Sequence, residues 1–180
     1  MEKEVQENTM EVPEKLWLCI QNFYRNLRWE NFMKELKVRK FPWTFIHGDF
    51  HPNNAMWMPD DDYCHVRLFD WEVAGIGSGP QELGRYVISH LDVTKYGPDV
   101  QQNLVKAYYE ELLLANPSIR ETMSFDACFE NFVYGGLRDW VWMLPMIGKW
   151  RPDYVGNATK KVDLFREMHS AMPGDVDYLE

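Results

Sequence analysis

The chain has 180 residues, enough for one domain with a sizeable core, and its 46% hydrophobic and 15% aromatic content exclude disorder throughout. Against 19 basic side chains it carries 28 acidic ones, a formal charge of −9, which makes nucleic acid a poor partner because that binding rests on basic residues neutralising phosphates. The start, Met1-Glu2-Lys3-Glu4, has no secretory pattern, and the most apolar window, Trp140 to Gly148, contains Pro145 and is too short to cross a bilayer. Cys19, Cys64 and Cys128 form no Cys-x-x-Cys pair, which fits reduced thiols. A soluble cytoplasmic protein without a membrane partner is expected, and Asn157-Ala158-Thr159 matches the glycosylation pattern but has no meaning in that setting.

In chain order, Leu16, Ile20, Phe23, Tyr24, Leu27, Phe32 and Leu36 recur at three- and four-residue steps, which predicts one long amphipathic helix within residues 1–40 after a disordered acidic start. Pro13, Glu11 and Glu14 suit its N-terminal end. Phe41-Pro42-Trp43 breaks the pattern, and Thr44 to Ile46 predicts a short strand. Ala55 to Met58 and Val66 to Phe69 then predict a hairpin closed by the turn residues Pro59-Asp60-Asp61-Asp62. Gly75-Ile76-Gly77-Ser78-Gly79 lacks the lysine of a phosphate-cradling loop and is expected to be a flexible connector.

From there the chain is expected to be helical. Pro80 to Leu91 carries Leu83, Val87 and Leu91, and Pro98 to Ala115 carries Val100, Leu104, Ala107, Tyr108 and Leu112 as its apolar stripe. A third stripe runs from Phe125 through Cys128, Phe129, Phe132, Val133 and Leu137 to Trp140 and Leu144, and Val162, Phe165 and Met168 mark a short last helix.

The chemistry concentrates in Phe45-Ile46-His47-Gly48-Asp49-Phe50-His51-Pro52-Asn53-Asn54 and in Leu68-Phe69-Asp70-Trp71-Glu72. Phosphoryl transfer from a nucleotide needs a carboxylate to orient an attacking hydroxyl, and an amide oxygen plus another carboxylate to hold magnesium. Asp49 and Asn54, five positions apart, and Asp70 at the end of a predicted strand supply such a set. A hairpin between Asn54 and Asp70 would bring them to one edge. A metallophosphoesterase reading of Gly48-Asp49-Phe50-His51, with His47, His51 and His65 as ligands, fails because the upstream Asp-x-His and downstream Gly-Asn-His clusters are missing.

His47 to Asn54 resembles the catalytic loop of the aminoglycoside phosphotransferase family, small-molecule kinases similar to choline kinases and to protein kinases, and Asp70-Trp71-Glu72 resembles that family's metal-binding strand end. The likeness covers roughly Phe41 to Leu91 and, more loosely, the helices that follow. It implies an α+β, mainly helical, protein kinase-like C-terminal lobe over residues 41–180, with a short hairpin carrying the catalytic and metal-binding loops. It also implies an ATP-dependent phosphotransferase acting on the hydroxyl of a small molecule. Asp49 would be the catalytic base, Asn54 and Asp70 the Mg2+ ligands, His47 a support beneath the loop and Glu72 a carboxylate near the metal. In the family an Asp-Leu-Ala near the start of the next helix ties down the catalytic loop. Here the residues are Glu82-Leu83-Gly84, so either Glu82 does this with a longer reach or the loop is held less firmly.

The acceptor pocket is expected between the loop and the later helices, at Asp139, Trp140 and Trp142, with Tyr134 and Trp150 nearby; aromatic faces beside a carboxylate suit a cationic acceptor. Upstream, the family's nucleotide lobe of strands and a phosphate-gripping lysine is expected to be absent, and Lys15, Lys34 and Lys37 have no strand context. The chain is expected to be a fragment of a longer kinase, a lobe that pairs with another chain, or a noncatalytic interaction module, and in either of the last two cases the apolar roof of the site would be left open to a protein partner.

Overall fold

The computed structural model describes residues 14–26, 28–30, 33, 43–59, 64–92, 95–150, 160–161, 164–165 and 168. Among them are helices α1 (Glu14–Asn26), α2 (Gly79–His90), α3 (Pro98–Ala115), the single turn α4 (Ile119–Thr122) and α5 (Phe125–Trp150), and strands β1 (Thr44–Ile46), β2 (Ala55–Pro59), β3 (Cys64–Leu68) and β4 (Gly75–Gly77). No helix among the described residues is long and apolar enough to cross a membrane. The predicted acidic start, Asp60 to Asp62 of the predicted turn and Val162 lie outside the described residues, while Phe165 and Met168 are helical as expected.

The strands form two antiparallel ribbons, one nested inside the other. β1 pairs with β4, Thr44 opposite Gly77 and Ile46 opposite Gly75, while β2 and β3 form the expected hairpin with Ala55 opposite Leu68 and Trp57 opposite Val66. Because the inner hairpin is inserted between the two strands of the outer ribbon, the connection from β1 to β2 and the one from β3 to β4 emerge side by side. This nesting corrects the reading of Gly75 to Gly79 as a flexible connector. Gly75–Gly77 is a paired strand, and Gly79 begins α2, whose missing amide at Pro80 falls in the first turn where it costs nothing.

Helix α5 is the spine. Its Cys128, Phe129, Phe132, Val133 and Leu137 meet Val87 and Ile88 of α2, Val105 and Tyr109 of α3, Ile20 of α1, and Phe165 in one buried cluster. Burial pushes the Cys128 thiol up to about 12, as expected of an apolar thiol.

Two helical expectations need correction. The single helix expected over the stripe from Leu16 to Leu36 is interrupted among the described residues, since α1 ends at Asn26, Arg28 is non-helical and Trp29 is helical again; Leu27, Phe32 and Leu36 lie outside the described residues. On α3 the buried face is Gln101, Val105 and Tyr109; of the expected stripe Tyr108 and Leu112 are half-buried against the core, while Val100, Leu104 and Ala107 are exposed. The helix is rotated by one residue from the apolar stripe because two polar groups take inward positions and satisfy backbone carbonyls: Gln101 Nε2 donates to Tyr96 O (2.9 Å) and Tyr109 Oη to Met123 O (2.8 Å).

The closest approach in the core is between α2 and α5. A Cβ on Gly84 would run into the carbonyl oxygen of Phe132 and lie 2.8 Å from the Gly136 amide nitrogen, so the two backbones nearly touch. Alanine at an ordinary helical glycine adds about 1 kcal/mol of stability, but here backbone atoms cannot yield. Gly84→Ala is therefore expected to destabilise the fold by about 2 kcal/mol, read as a lower urea midpoint; an unchanged or higher midpoint would contradict this packing.

Candidate active site

The first connection, residues 47–54, leaves β1 through His47 and Gly48. Gly48 has φ +83°, and a Cβ there would meet the Val73 backbone carbonyl. Glycine is required on both counts. The chain then passes Asp49 and Phe50 and closes in a 3-10 turn, Pro52–Asn54, capped by His51, whose Nδ1 accepts from the Asn53 amide at 3.2 Å.

Helix α2 holds this loop residue by residue. Both oxygens of Glu82 accept backbone amides, from His47 to Oε2 at 3.1 Å and from Gly48 to Oε1 at 2.5 Å. Arg85 donates through Nη1 to the Gly48 carbonyl at 2.6 Å and through Nη2 to Asp49 Oδ1 at 3.0 Å. The ring of Tyr86 stacks on Phe50 with centroids 4.9 Å apart, and His90 stacks on His51 at 5.5 Å. Positions 82, 85, 86 and 90 lie along one helical face, so a single rigid element reads five consecutive loop residues. Of the two expectations for Glu82, the contacts match the longer-reach one: its carboxylate spans the His47 and Gly48 amides.

His47 is 3% exposed and lies beneath the loop. Its Nδ1 faces the Asp49 amide at 3.4 Å and its Nε2 lies 2.9 Å from the Phe69 carbonyl. An amide only donates and a carbonyl only accepts, so these two contacts match the tautomer with its proton on Nε2. This bond joins the first connection to the second. A further link runs from the Phe69 amide to the Asn54 carbonyl at 3.1 Å.

Asp49 and Asn54 are brought together directly. Asn54, 5% exposed, donates its Nδ2 to the Asp49 carbonyl at 3.1 Å and to Asp49 Oδ2 at 3.4 Å, which directs its amide oxygen away from Asp49. His51 Nε2 also lies 3.3 Å from Asp49 Oδ2. Asp70 follows Phe69 immediately and has φ +66°, a left-handed conformation that costs a non-glycine residue of order 1 kcal/mol and that aspartate tolerates better than most. Glu72 lies in the exposed turn closed by the Ala74 amide on the Trp71 carbonyl at 3.1 Å.

The donor types at Asn54 and Asp70 are hard oxygens, which suit magnesium; no group of three His, Cys, Asp or Glu side chains able to hold a metal occurs among the described residues. Asp139, Trp140 and Trp142 sit on α5, as does Trp150, but their side chains lie outside the described residues. Tyr134 is half-buried on the same helix.

Arg85, Tyr86 and His90 were not singled out from sequence. The signal was present as a polar and aromatic stripe at helical spacing beginning with Glu82. Burial first, and then the charge of neighbouring His51, push the His90 imidazole below its ordinary value. Replacing Glu82 by Ala strands two backbone amides; since hydrogen bonds to charged groups are worth about 1.5–3 kcal/mol each, the fold should lose about 2 kcal/mol or more in urea unfolding, with Glu82→Gln losing less.

The sequence profile of the phosphotransferase enzyme family matches residues 5–120. The match extends well upstream of Phe41, so it includes α1 as well as the site and α3. No curated protein and no solved structure gives a significant match. With the family's pattern spanning more than half the chain, and the loop and strand-end residues juxtaposed as described, this chain belongs to the phosphotransferase enzyme family, of the aminoglycoside phosphotransferase and choline kinase type.

Proposed function

We propose that the loop and hairpin of this chain provide the acceptor-orienting and metal-holding residues of an ATP-dependent phosphotransferase that acts on a small-molecule hydroxyl. The observation that carries this reading is the bonded pair Asp49–Asn54 on a loop joined through His47 and Asn54 to the residue preceding Asp70. Asp49 orients the acceptor hydroxyl and takes its proton. Its carboxylate is fixed for that task, with Arg85 on one oxygen and His51 and Asn54 on the other. Asn54 and Asp70 would hold magnesium together with the nucleotide phosphates, where the ion neutralises charge on the phosphoryl oxygens. Glu82 and His47 keep the loop in register.

The acceptor is a hydroxyl compound. A net charge of −9 favours a cation in the wider cleft, but the immediate surroundings of Asp49 are basic, so overall charge alone does not select one. Asp139, Trp140 and Trp142 remain the proposed acceptor wall. The cytoplasm is the proposed location.

A second reading, a noncatalytic interaction module, is favoured by one specific observation. Phe45 (64% exposed) and its cross-strand partner Ile76 (68%) lie open beside Trp71, which stacks on Phe45, and Trp57 (63%) lies open opposite exposed Val66. Two-stranded ribbons are marginal on their own, and open apolar patches of this kind mark interaction surfaces. One-to-one, magnesium-dependent nucleotide binding favours the enzyme; a folded chain that binds a protein tightly and no nucleotide favours the module.

With a nucleotide-covering lobe present, Asp49→Asn should reduce acceptor-dependent ADP release by about a hundredfold or more while changing nucleotide affinity little. Undiminished release would remove Asp49 from the mechanism.

A further inference from the structure

Glu82 and Arg85 stand three residues apart on α2 and bind opposite kinds of group on the same short stretch of loop. The carboxylate takes the two amides that precede Asp49, and the guanidinium takes the one carbonyl between them and the Asp49 side chain. Glu82 engages backbone groups only. What Arg85 adds is the side chain: Nη1 is fixed on the Gly48 carbonyl, so Nη2 presents a donor from a defined point to one carboxylate oxygen only.

The opposite oxygen, Oδ2, has weaker company. His51 Nε2 at 3.3 Å and Asn54 Nδ2 at 3.4 Å are both long, and His51 is itself oriented by the Asn53 amide. The short contacts are therefore on the Arg85 side, and the loosely held oxygen is the one that faces Asn54. Arginine's planar fork can make two bonds in fixed relation, whereas a lysine ammonium is a single point charge on a flexible stem. The Arg85 side chain is 24% exposed, so the fork is largely packed in place.

We propose that Arg85 is a positioning residue that selects the Asp49 rotamer, pinning Oδ1 so that Oδ2 is turned toward Asn54 and the acceptor. This deepens the phosphotransferase reading, since a carboxylate free to swing would spend much of its time out of line with the hydroxyl, and misplacement by about 1 Å costs up to about a hundredfold in rate. The positional part of the proposal stands on the loop geometry alone. Only its kinetic consequence rests on the proposed activity.

The test measures the Asp49 χ1 rotamer in the full chain through three-bond couplings by nuclear magnetic resonance, in the wild type, Arg85→Gln and Arg85→Lys. A single rotamer is expected in the wild type, averaging between rotamers in the glutamine variant, and intermediate averaging in the lysine variant. If glutamine prevents folding, the lysine variant decides. A single unchanged rotamer in the folded variants would overturn the proposal. The second measurement is acceptor-dependent phosphoryl transfer, where Arg85→Gln should lower kcat about tenfold or more with the nucleotide KM within about twofold, and Arg85→Lys should recover part of the loss. Averaged rotamers with undiminished kcat would leave Arg85 as the positioning residue and overturn instead the catalytic role proposed for Asp49.

Discussion

The grip of α2 on the loop from His47 to His51 is the constraint on which the rest of the site depends. A connection that leaves a three-residue strand and carries a left-handed glycine has little rigidity of its own. It acquires some because Glu82, Arg85, Tyr86 and His90 occupy successive turns of one helix face and each engages the next loop residue. The helix can serve as a reference because its other face is locked to α5, where Gly84 allows backbone to approach backbone and Val87 and Ile88 are fully buried. Rigidity thus passes from the aromatic core to α2, and from α2 to Asp49.

The nested ribbons solve the second problem, that of bringing Asp70 close in space to residues 16 positions earlier in the chain. Inserting the β2–β3 hairpin between β1 and β4 makes both connections cross the same gap, and His47 and Asn54 close it with hydrogen bonds to the two backbone groups of Phe69. The strained φ at Asp70 falls at the exit of that gap. Strain of this kind persists only where neighbouring structure imposes it. The family match spans this region of the chain, and the local geometry brings the loop and the strand end together within it.

Much of this was legible in the sequence, and what was missed has physical reasons. The hairpin and β1 were readable from apolar runs flanked by turn residues, and α2, α3 and α5 from helical spacing, because burial on one face imposes those periods. The pairing of β4 was hidden because a Gly-Ile-Gly strand has almost no side chains with which to announce itself. The face of α3 was misread because a buried glutamine and tyrosine replace apolar residues, and hydrogen bonds satisfied by distant carbonyls leave no local trace in sequence. Asp49, Asn54 and Asp70 stood out as a motif. Arg85 did not, since the need for it arises only when α2 is laid against the loop, a long-range contact that spacing within the helix hints at but does not specify.

The account is tested most directly by native-state amide hydrogen exchange on the unmodified chain. If α2 clamps the loop as described, the His47 and Gly48 amides, although they lie outside any helix and precede a left-handed turn, should exchange as slowly as core amides of α2 such as Val87 and Ile88, and through the same cooperative opening. Exchange of those two amides at the rate of the exposed turn at Glu72 and Val73, while α2 itself remains protected, would contradict it.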